Sequence, residues 1–249
     1  MTWELLVNLA VRDFKLRYKQ SILGFAWAIL NPLGMMVVLT IVFSVLFKSP
    51  IENFPVFLLA GLLPWRFFQV GTSMALWSVA ANTSLVSKVF VPRWILVFSS
   101  NLANLIGFTF EFLAFLPLMV ALGMSLSWIG LMVIPILGLE FFIIFGMSLV
   151  LSSVNVYFRD MSQFWEVALQ AGFFLCPIFY DKSLVPAVAV GFYSLNPLVT
   201  IIESIRQVLY FNMTPTLDPL LNLLMSATLL VTVGYLVFSR LEPRFAEVV

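Results

Sequence analysis

The chain has no histidine. That removes the commonest proton shuttle and the commonest transition-metal ligand. It has a single cysteine, Cys176, so an intrachain disulfide and a CxxC metal or redox pair are both excluded. Cys176 lies between Leu175 and Pro177 in an apolar run and reads as a small buried hydrophobe. Charge is also scarce: 10% of residues are Asp, Glu, Lys or Arg, against about 25% in soluble domains. There is no GxxxxGK[ST] loop, so the chain does not hold nucleotide phosphates in the P-loop manner. There is no HExxH pair and no histidine-based triad, which argues against an intramembrane metalloprotease or serine protease. The net charge of +1 does not point to an anionic partner, and no nucleic-acid partner is expected. A low-complexity tract and an internal repeat are both absent. The missing repeat argues mildly against an inverted-repeat transporter and for symmetry through homodimerisation.

What the chain has in quantity is apolar surface. Of its 249 residues 62% are hydrophobic, and mean hydropathy is +1.06. Lipid is therefore the expected solvent. Residues 12–32, RDFKLRYKQSILGFAWAILNP, show the change of medium most sharply. Arg12, Lys15, Arg17 and Lys19 precede an apolar run with no further lysine or arginine before Lys48. A basic segment that stays at the membrane surface, followed by one that spans, explains that switch. The first segment is not patterned as a cleaved leader: its charges follow Trp3 to Ala10, and no A-x-A-like site comes after.

A spanning helix needs about 20 apolar residues. Six stretches qualify as expected spans: 22–47, 56–80, 94–122, 128–156, 163–180 and 217–239. Pro32, Pro64, Pro117, Pro135 and Pro177 are candidate kink sites. With the N-terminus in the cytosol, that side carries Arg12, Lys15, Arg17, Lys19, Lys88, Arg93, Arg159, Arg240 and Arg244. The other side carries Lys48, Arg66, Lys182 and Arg206. This asymmetry favours both termini in the cytosol. The expected fold is thus an all-α integral membrane protein, with an amphipathic interface helix over 1–21 and a six-span domain over 22–249.

In the first segment Trp3, Val7, Ala10, Phe14 and Tyr18 recur at helical steps, with Glu4, Asn8, Arg12, Lys15 and Lys19 on another face. Either an interface helix with a partner or a plain basic anchor fits that pattern. Two connections stand out. Residues 81–93, ANTSLVSKVFVPR, are too polar to span, and Pro92 can end a short helix there. Residues 181–215 hold apolar stretches too short to span, broken at Asn196-Pro197, as in re-entrant or interfacial helices. Glu111 and Glu140 fall deep in expected spans, where charge costs roughly 2.5–3.5 kcal/mol on insertion scales. Each is either a proton or substrate site or a hydrogen-bonded link between helices, and the link is favoured. Arg66, near the outer end of the second span, can snorkel outward and is a weaker candidate for such a site. Aromatics make up 16% of the chain. They either face lipid and core or offer stacking surfaces to sugar rings.

Several blocks together resemble one family, the membrane subunit of ABC exporters of cell-surface polysaccharide (the O-antigen, capsule and teichoic-acid permeases, a branch of the ABC type-2 permeases). RDFKLRYKQSILGFAWAILNPL at 12–33 is similar to that family's opening block, and LLAGLLPWRFFQ at 58–69 to its second-span signature. NTSLVSKVFVPRWILVFSS at 82–100 resembles its cytosolic loop. NVYFRDMSQFWEVALQAGFFLCPIFY at 155–180 resembles its fifth span, and LNPLVTIIESIRQVLY at 195–210 its external helices. The blocks come in the family's order and cover nearly the whole chain.

The resemblance implies a homodimer in the cytoplasmic (inner) membrane, carrying two copies of a separate nucleotide-binding ATPase. ATP and Mg would be bound by that partner, and this chain would hold no cofactor or metal and catalyse no reaction. The substrate implied is a lipid-linked polysaccharide. The coupling helix at about 82–93 would dock on the ATPase through Asn82, Ser87, Lys88, Val89, Phe90 and Arg93. The interface helix would present Arg12, Lys15, Arg17 and Lys19 to the ATPase or to membrane lipids. The first and fifth spans would line a channel at the dimer interface, with Trp27, Phe164, Phe173, Phe174, Phe179 and Tyr180 as its aromatic lining. External helices at about 183–210 would gate it, with Asn196, Pro197, Glu203 and Arg206 as gate residues. Alternatives are an ABC exporter of a small molecule or drug, which needs a closed pocket, and a proton-coupled glycolipid flippase using Glu111 or Glu140.

Overall fold

The computed structural model describes residues 2–18, 23–24, 26–48, 50–83, 92–124 and 127–245. Regular structure there is all helical, with no strand among the described residues. In chain order the helices are α1 (Thr2–Tyr18), α2 (Ala26–Thr40), α3 (Phe54–Leu76), α4 (Trp94–Ala121), α5 (Val133–Tyr157), α6 (Met161–Leu175), α7 (Ala187–Ser194), α8 (Pro197–Leu209) and α9 (Leu217–Leu241). Helix α2 continues as a π-helical stretch, Ile41–Leu46. A tight turn, Trp128–Met132, leads into α5, and Ser127 caps it by accepting the Ile129 N–H.

Five of these segments are long and apolar enough to cross a membrane: Ala26–Leu46, Phe54–Asn82, Trp94–Ala121, Trp128–Tyr157 and Leu217–Arg244. They match five of the six expected spans. The other, expected over 163–180, departs from expectation. Helix α6 has only 15 residues, about 22 Å at 1.5 Å per residue, against a hydrocarbon core of about 30 Å. It stops because Pro177 disfavours helical backbone at the residue before it, and Cys176 is extended (φ −91, ψ 148). Pro177 therefore ends the helix instead of bending it. Helices α2, α3 and α4 run through Pro32, Pro64 and Pro117.

Helix α3 is the centre of the protein. In its apolar stretch 78% of residues are buried, against 6% for the stretch from Ala26 to Leu46. Asn53, with left-handed backbone (φ 45), turns the chain into α3, and its Nδ2 donates to the Leu122 carbonyl at 3.0 Å. Around α3 pack α4, α5 and α8, forming one large core that includes Phe57, Phe67, Phe108, Ile136, Ile144, Ile201 and Ile205. A second core joins Leu6 and Leu9 of α1 to Ala75, Val79, Ile95, Val97, Leu149, Phe238 and Phe245. Helix α1 therefore lies along α4, from Ile95 in its first turn to Phe110, whose ring centroid is 6.4 Å from that of Phe14. Helices α5 and α9 meet backbone to backbone. A Cβ at Gly146 would strike the Leu230 backbone, and one at Gly234 would strike the Gly146 carbonyl.

Polar side chains stitch the central helices together, as expected for spans without a hydrophobic drive between them. Asn104 Nδ2 donates to the Phe67 carbonyl at 3.0 Å, Asn155 Nδ2 to the Leu76 carbonyl at 3.1 Å, and Ser148 Oγ to Asn101 Oδ1 at 3.3 Å.

Candidate functional site

Two open cavities flank α3. One, of about 650 Å³, lies between α1, α2 and α3 and is lined by residues including Arg17, Asn31, Arg66, Gln69 and Ser73. The other, of about 360 Å³, lies between α3 and α6 and is lined by Gln69, Ser73, Trp77, Trp165, Glu166 and Gln170 among others. Gln69 and Ser73 are common to both, so a polar strip of α3 faces α2 on one side and α6 on the other. On α6 the residues Ser162, Glu166 and Gln170 recur every four positions and share a face. Ser73, Glu166 and Gln170 are exposed. Trp165, also in this wall, is tied to α3, its Nε1 donating to Thr72 Oγ1 at 3.0 Å.

The first of these cavities abuts an ion pair between spans. Arg66 Nε donates to Glu111 Oε1 at 2.9 Å, with both side chains largely buried. Arg66 Nη1 also donates to Asn31 Oδ1 at 3.2 Å. The sequence expectation that Arg66 snorkels outward is thus replaced by a link joining α2, α3 and α4. Glu111 takes the linking role favoured for it. Glu140 on α5 is fully buried, and among the described residues neither carboxylate oxygen has a hydrogen-bond partner.

The expected channel aromatics divide into two groups. Trp27, Phe164 and Phe174 are exposed on α2 and α6. Phe173, Phe179 and Tyr180 are half-buried around the end of α6. Phe179 stacks on Phe43 of the π-helical stretch at 4.9 Å, and Phe173 meets Trp65 edge-on at 6.1 Å. Tyr180 OH donates to the Phe174 carbonyl at 3.2 Å and accepts from Tyr193 OH at 3.3 Å. The first and fifth expected spans thereby touch through Phe43 and Phe179.

Among the expected gate residues, Arg206 is almost wholly buried. Its Nη2 donates to the Ile178 carbonyl at 2.7 Å, its Nε to the Phe57 carbonyl at 3.4 Å, and its Nη1 to Glu203 Oε1 at 3.3 Å and the Tyr180 carbonyl at 3.5 Å. The guanidinium also lies over the Phe57 ring, 3.5 Å from its centroid. A forked cation thus holds the irregular segment after α6 against α3 and α8. Burial pulls the Arg206 pKa down to about 10, with Glu203 opposing, so it remains charged at neutral pH. Asp181 is lowered by the hydrogen bond it accepts from Ser183. Asn196 caps α8, its Oδ1 accepting the Leu198 N–H at 3.0 Å, and Pro197 is the first residue of that helix.

Of the expected coupling residues, Ser87, Lys88, Val89 and Phe90 lie outside the described residues, as does Lys19 of the interface helix. The flanks of that segment are described. At its start, Asn82 Oδ1 accepts from Arg12 Nη2 at 3.0 Å, which ties it to α1. At its end, Arg93 bonds to Glu242 at the foot of α9. Lys15 is exposed, and Arg17 Nη1 lies 3.6 Å from the Met74 sulfur. No group of three or more His, Cys, Asp or Glu that could hold a metal ion occurs among the described residues.

Sequence reasoning passes over three features of this region. The polar strip of Gln69, Ser73, Glu166 and Gln170 has a visible signal, the four-residue steps on α6. The Arg93–Glu242 contact has none, and the Arg206 clasp little beyond Glu203 three residues before it, because the other partners are remote in the chain.

The ABC-2 type transporter family matches residues 4–210. The chain is 32% identical over 252 residues to an O-antigen export system permease protein, RfbA, of Klebsiella pneumoniae, covering 99% of this chain and 95% of that one. It is 30% identical to the protein of the same name from Myxococcus xanthus, covering 98% and 94%. The polysialic acid transport protein KpsM of Escherichia coli is 25% identical over 217 residues, covering 80% and 78%. A multi-pass helical chain with no nucleotide loop of its own, matched to one family along most of its length, belongs to the ABC-2 type transporters.

Proposed function

We propose that this chain is the membrane permease of an exporter that moves a lipid-linked polysaccharide of the O-antigen or capsule type across the cytoplasmic membrane, driven by a separate ATPase subunit. Two copies form the conduit between them, walled by α2 and α6 of each. Both termini lie in the cytosol, and the segment at 82–93 engages the ATPase. Helix α6 and the irregular segment pinned by Arg206 complete the sixth crossing, and α7 and α8 close its outer end.

The observation that carries this reading is the exposed polar face between α2 and α6. Lipid solvates a glutamate poorly. Ser73, Glu166 and Gln170 are set outward within about three turns of the ends of α3 and α6 that this reading places on the cytosolic side, and a face of that polarity suits an aqueous or polymeric neighbour. Amide, hydroxyl and carboxylate groups interleaved with Trp77 and Trp165 suit a glycan, whose hydroxyls accept and donate and whose ring faces stack. The names of the matched relatives point to the same substrate class.

The test is a paired substitution, Glu166→Leu with Gln170→Leu, in cells that depend on this chain for surface polysaccharide. The variant is expected to reach the membrane and retain its ATPase while surface polymer falls by about tenfold or more, as when a positioning contact is lost. Undiminished polymer in the double variant would reject the conduit.

A further inference from the structure

The segment expected to meet the ATPase ends where α4 begins, and there two helix termini cap one another. The backbone N–H of Arg93, immediately before α4, donates to Glu242 Oε1 at 3.1 Å. Glu242 is the residue immediately after α9, and its own carbonyl accepts from Arg93 Nη1 at 2.7 Å. A carboxylate therefore sits at the positive N-terminal end of α4, and a guanidinium at the negative C-terminal end of α9. Each is the arrangement that the helix dipole and the unsatisfied terminal groups favour. The two residues are 149 positions apart in the chain.

The joint is firmly seated. Tyr157 OH, at the end of α5, donates to the Leu241 carbonyl at 2.9 Å. Phe245 just beyond is fully buried, with its ring centroid 5.4 Å from that of Phe238 and 6.1 Å from that of Tyr157. Helix α9 is in turn locked to α5 at Gly146 and Gly234. A displacement of Arg93 is thus handed to α9 and α5 as well as to α4. At the start of the segment Asn82 is tied to α1 through the exposed side chain of Arg12.

We infer that the reciprocal cap between Arg93 and Glu242 is a transmission joint, which makes α9 and α5 move as one rigid block with Arg93 and α4, where the ATPase-facing segment ends. This rests on the coupling role proposed above for 82–93. Packed elements with two discrete arrangements carry such motion, whereas a free hinge would dissipate it. Arg93 and Glu242 are positioning residues and touch neither ATP nor polymer.

The test uses the assembled permease–ATPase complex and compares wild type, Glu242→Ala, Glu242→Gln and Arg93→Ala for membrane amount, ATPase retention, ATP hydrolysis and surface polymer. Glu242→Ala is expected to keep its ATPase and its hydrolysis while polymer exported per ATP falls about tenfold, within the range of site-to-site coupling energies. Glu242→Gln keeps the acceptor oxygen and is expected to export within about twofold of wild type. Arg93→Ala, which also removes an expected ATPase contact, should lower export per ATP at least as far as Glu242→Ala does. Wild-type export per ATP in Glu242→Ala would overturn the joint. So would loss of both alanine variants from the membrane, which would make the contact a folding element only. A wild-type complex that neither binds an ATPase nor exports polymer would instead overturn the coupling reading on which the joint rests.

Discussion

Helices α5 and α9 and helices α3 and α6 form two seams of opposite design. At the first, Gly146 and Gly234 let backbones touch, and nothing larger than hydrogen fits. The outward residues of α9 there are lipid-loving: Leu221, Leu224, Met225 and Leu229 are exposed. At the second, Trp165 bonds to Thr72 and Gly172 lies under Trp65, but a cavity of about 360 Å³ remains between the helices. Its outward residues, Glu166 and Gln170, are water-loving. A seam without free volume moves as a unit, while one with cavities and few shared side chains can open. The difference separates a rigid frame, α3–α5 with α8 and α9, which shifts as a unit, from the more loosely packed α2 and α6.

The largest expected effect lies on the frame side. Arg66→Gln leaves Glu111 buried without its cation, and breaking such a pair costs about 3–5 kcal/mol. Thermal unfolding of the purified protein should show a severe loss. The double variant Arg66→Gln with Glu111→Gln should recover most of it, because two amides can still bond across the helices. No recovery would mean that charge itself, not linkage, is what the site requires.

Next comes the glycine seam. Gly146→Ala places a methyl group against the Leu230 backbone, and overpacking of that kind costs about 1–3 kcal/mol. The same change at Gly138, where an added methyl group would meet nothing within 4 Å, should cost far less. Equal thermal stabilities for the two variants would erase the distinction between a tight seam and an open surface. The smallest effect is expected at Glu140. Glu140→Gln keeps shape and removes the ionisable group, and export should stay within about twofold of wild type, as for a substitution that leaves the two states of the transporter equally served. Export abolished with ATP hydrolysis intact would revive a proton-driven mechanism.

Much of the frame is legible in the sequence. Runs of apolar residues beyond the length of a spanning helix identify α2, α3, α4, α5 and α9, and the Asn196-Pro197 step marks the start of α8. The end of α6 is less legible. Pro177 is open to either a kink or a stop, and only the extended backbone of Cys176 and the carbonyls of Ile178 and Tyr180 held by Arg206 decide it. Arg66 reads in the sequence as snorkelling outward, because an isolated arginine in an apolar run is ordinarily solvated, and Arg206 reads only as a gate residue of the external segment. Their burial depends on Glu111, Glu203 and Phe57, and the first and last of these are far away in sequence. On α6 the aromatic residues overshadow the Ser162, Glu166, Gln170 stripe, although four-residue spacing of polar groups in an expected span is itself a sign of a wetted face.

The central claim is that the α6 face meets an aqueous conduit. The native Cys176 is fully buried, so single introduced cysteines report cleanly. The most direct measurement is labelling of Gln170→Cys by a membrane-impermeant, water-soluble maleimide in inside-out membrane vesicles, beside Phe142→Cys, an exposed position on the apolar side of α5. The account predicts rapid labelling at 170, slow labelling at 142, and a block of polymer export once 170 is modified. Position 170 as unreactive as 142, or fully modified with export undiminished, would contradict it.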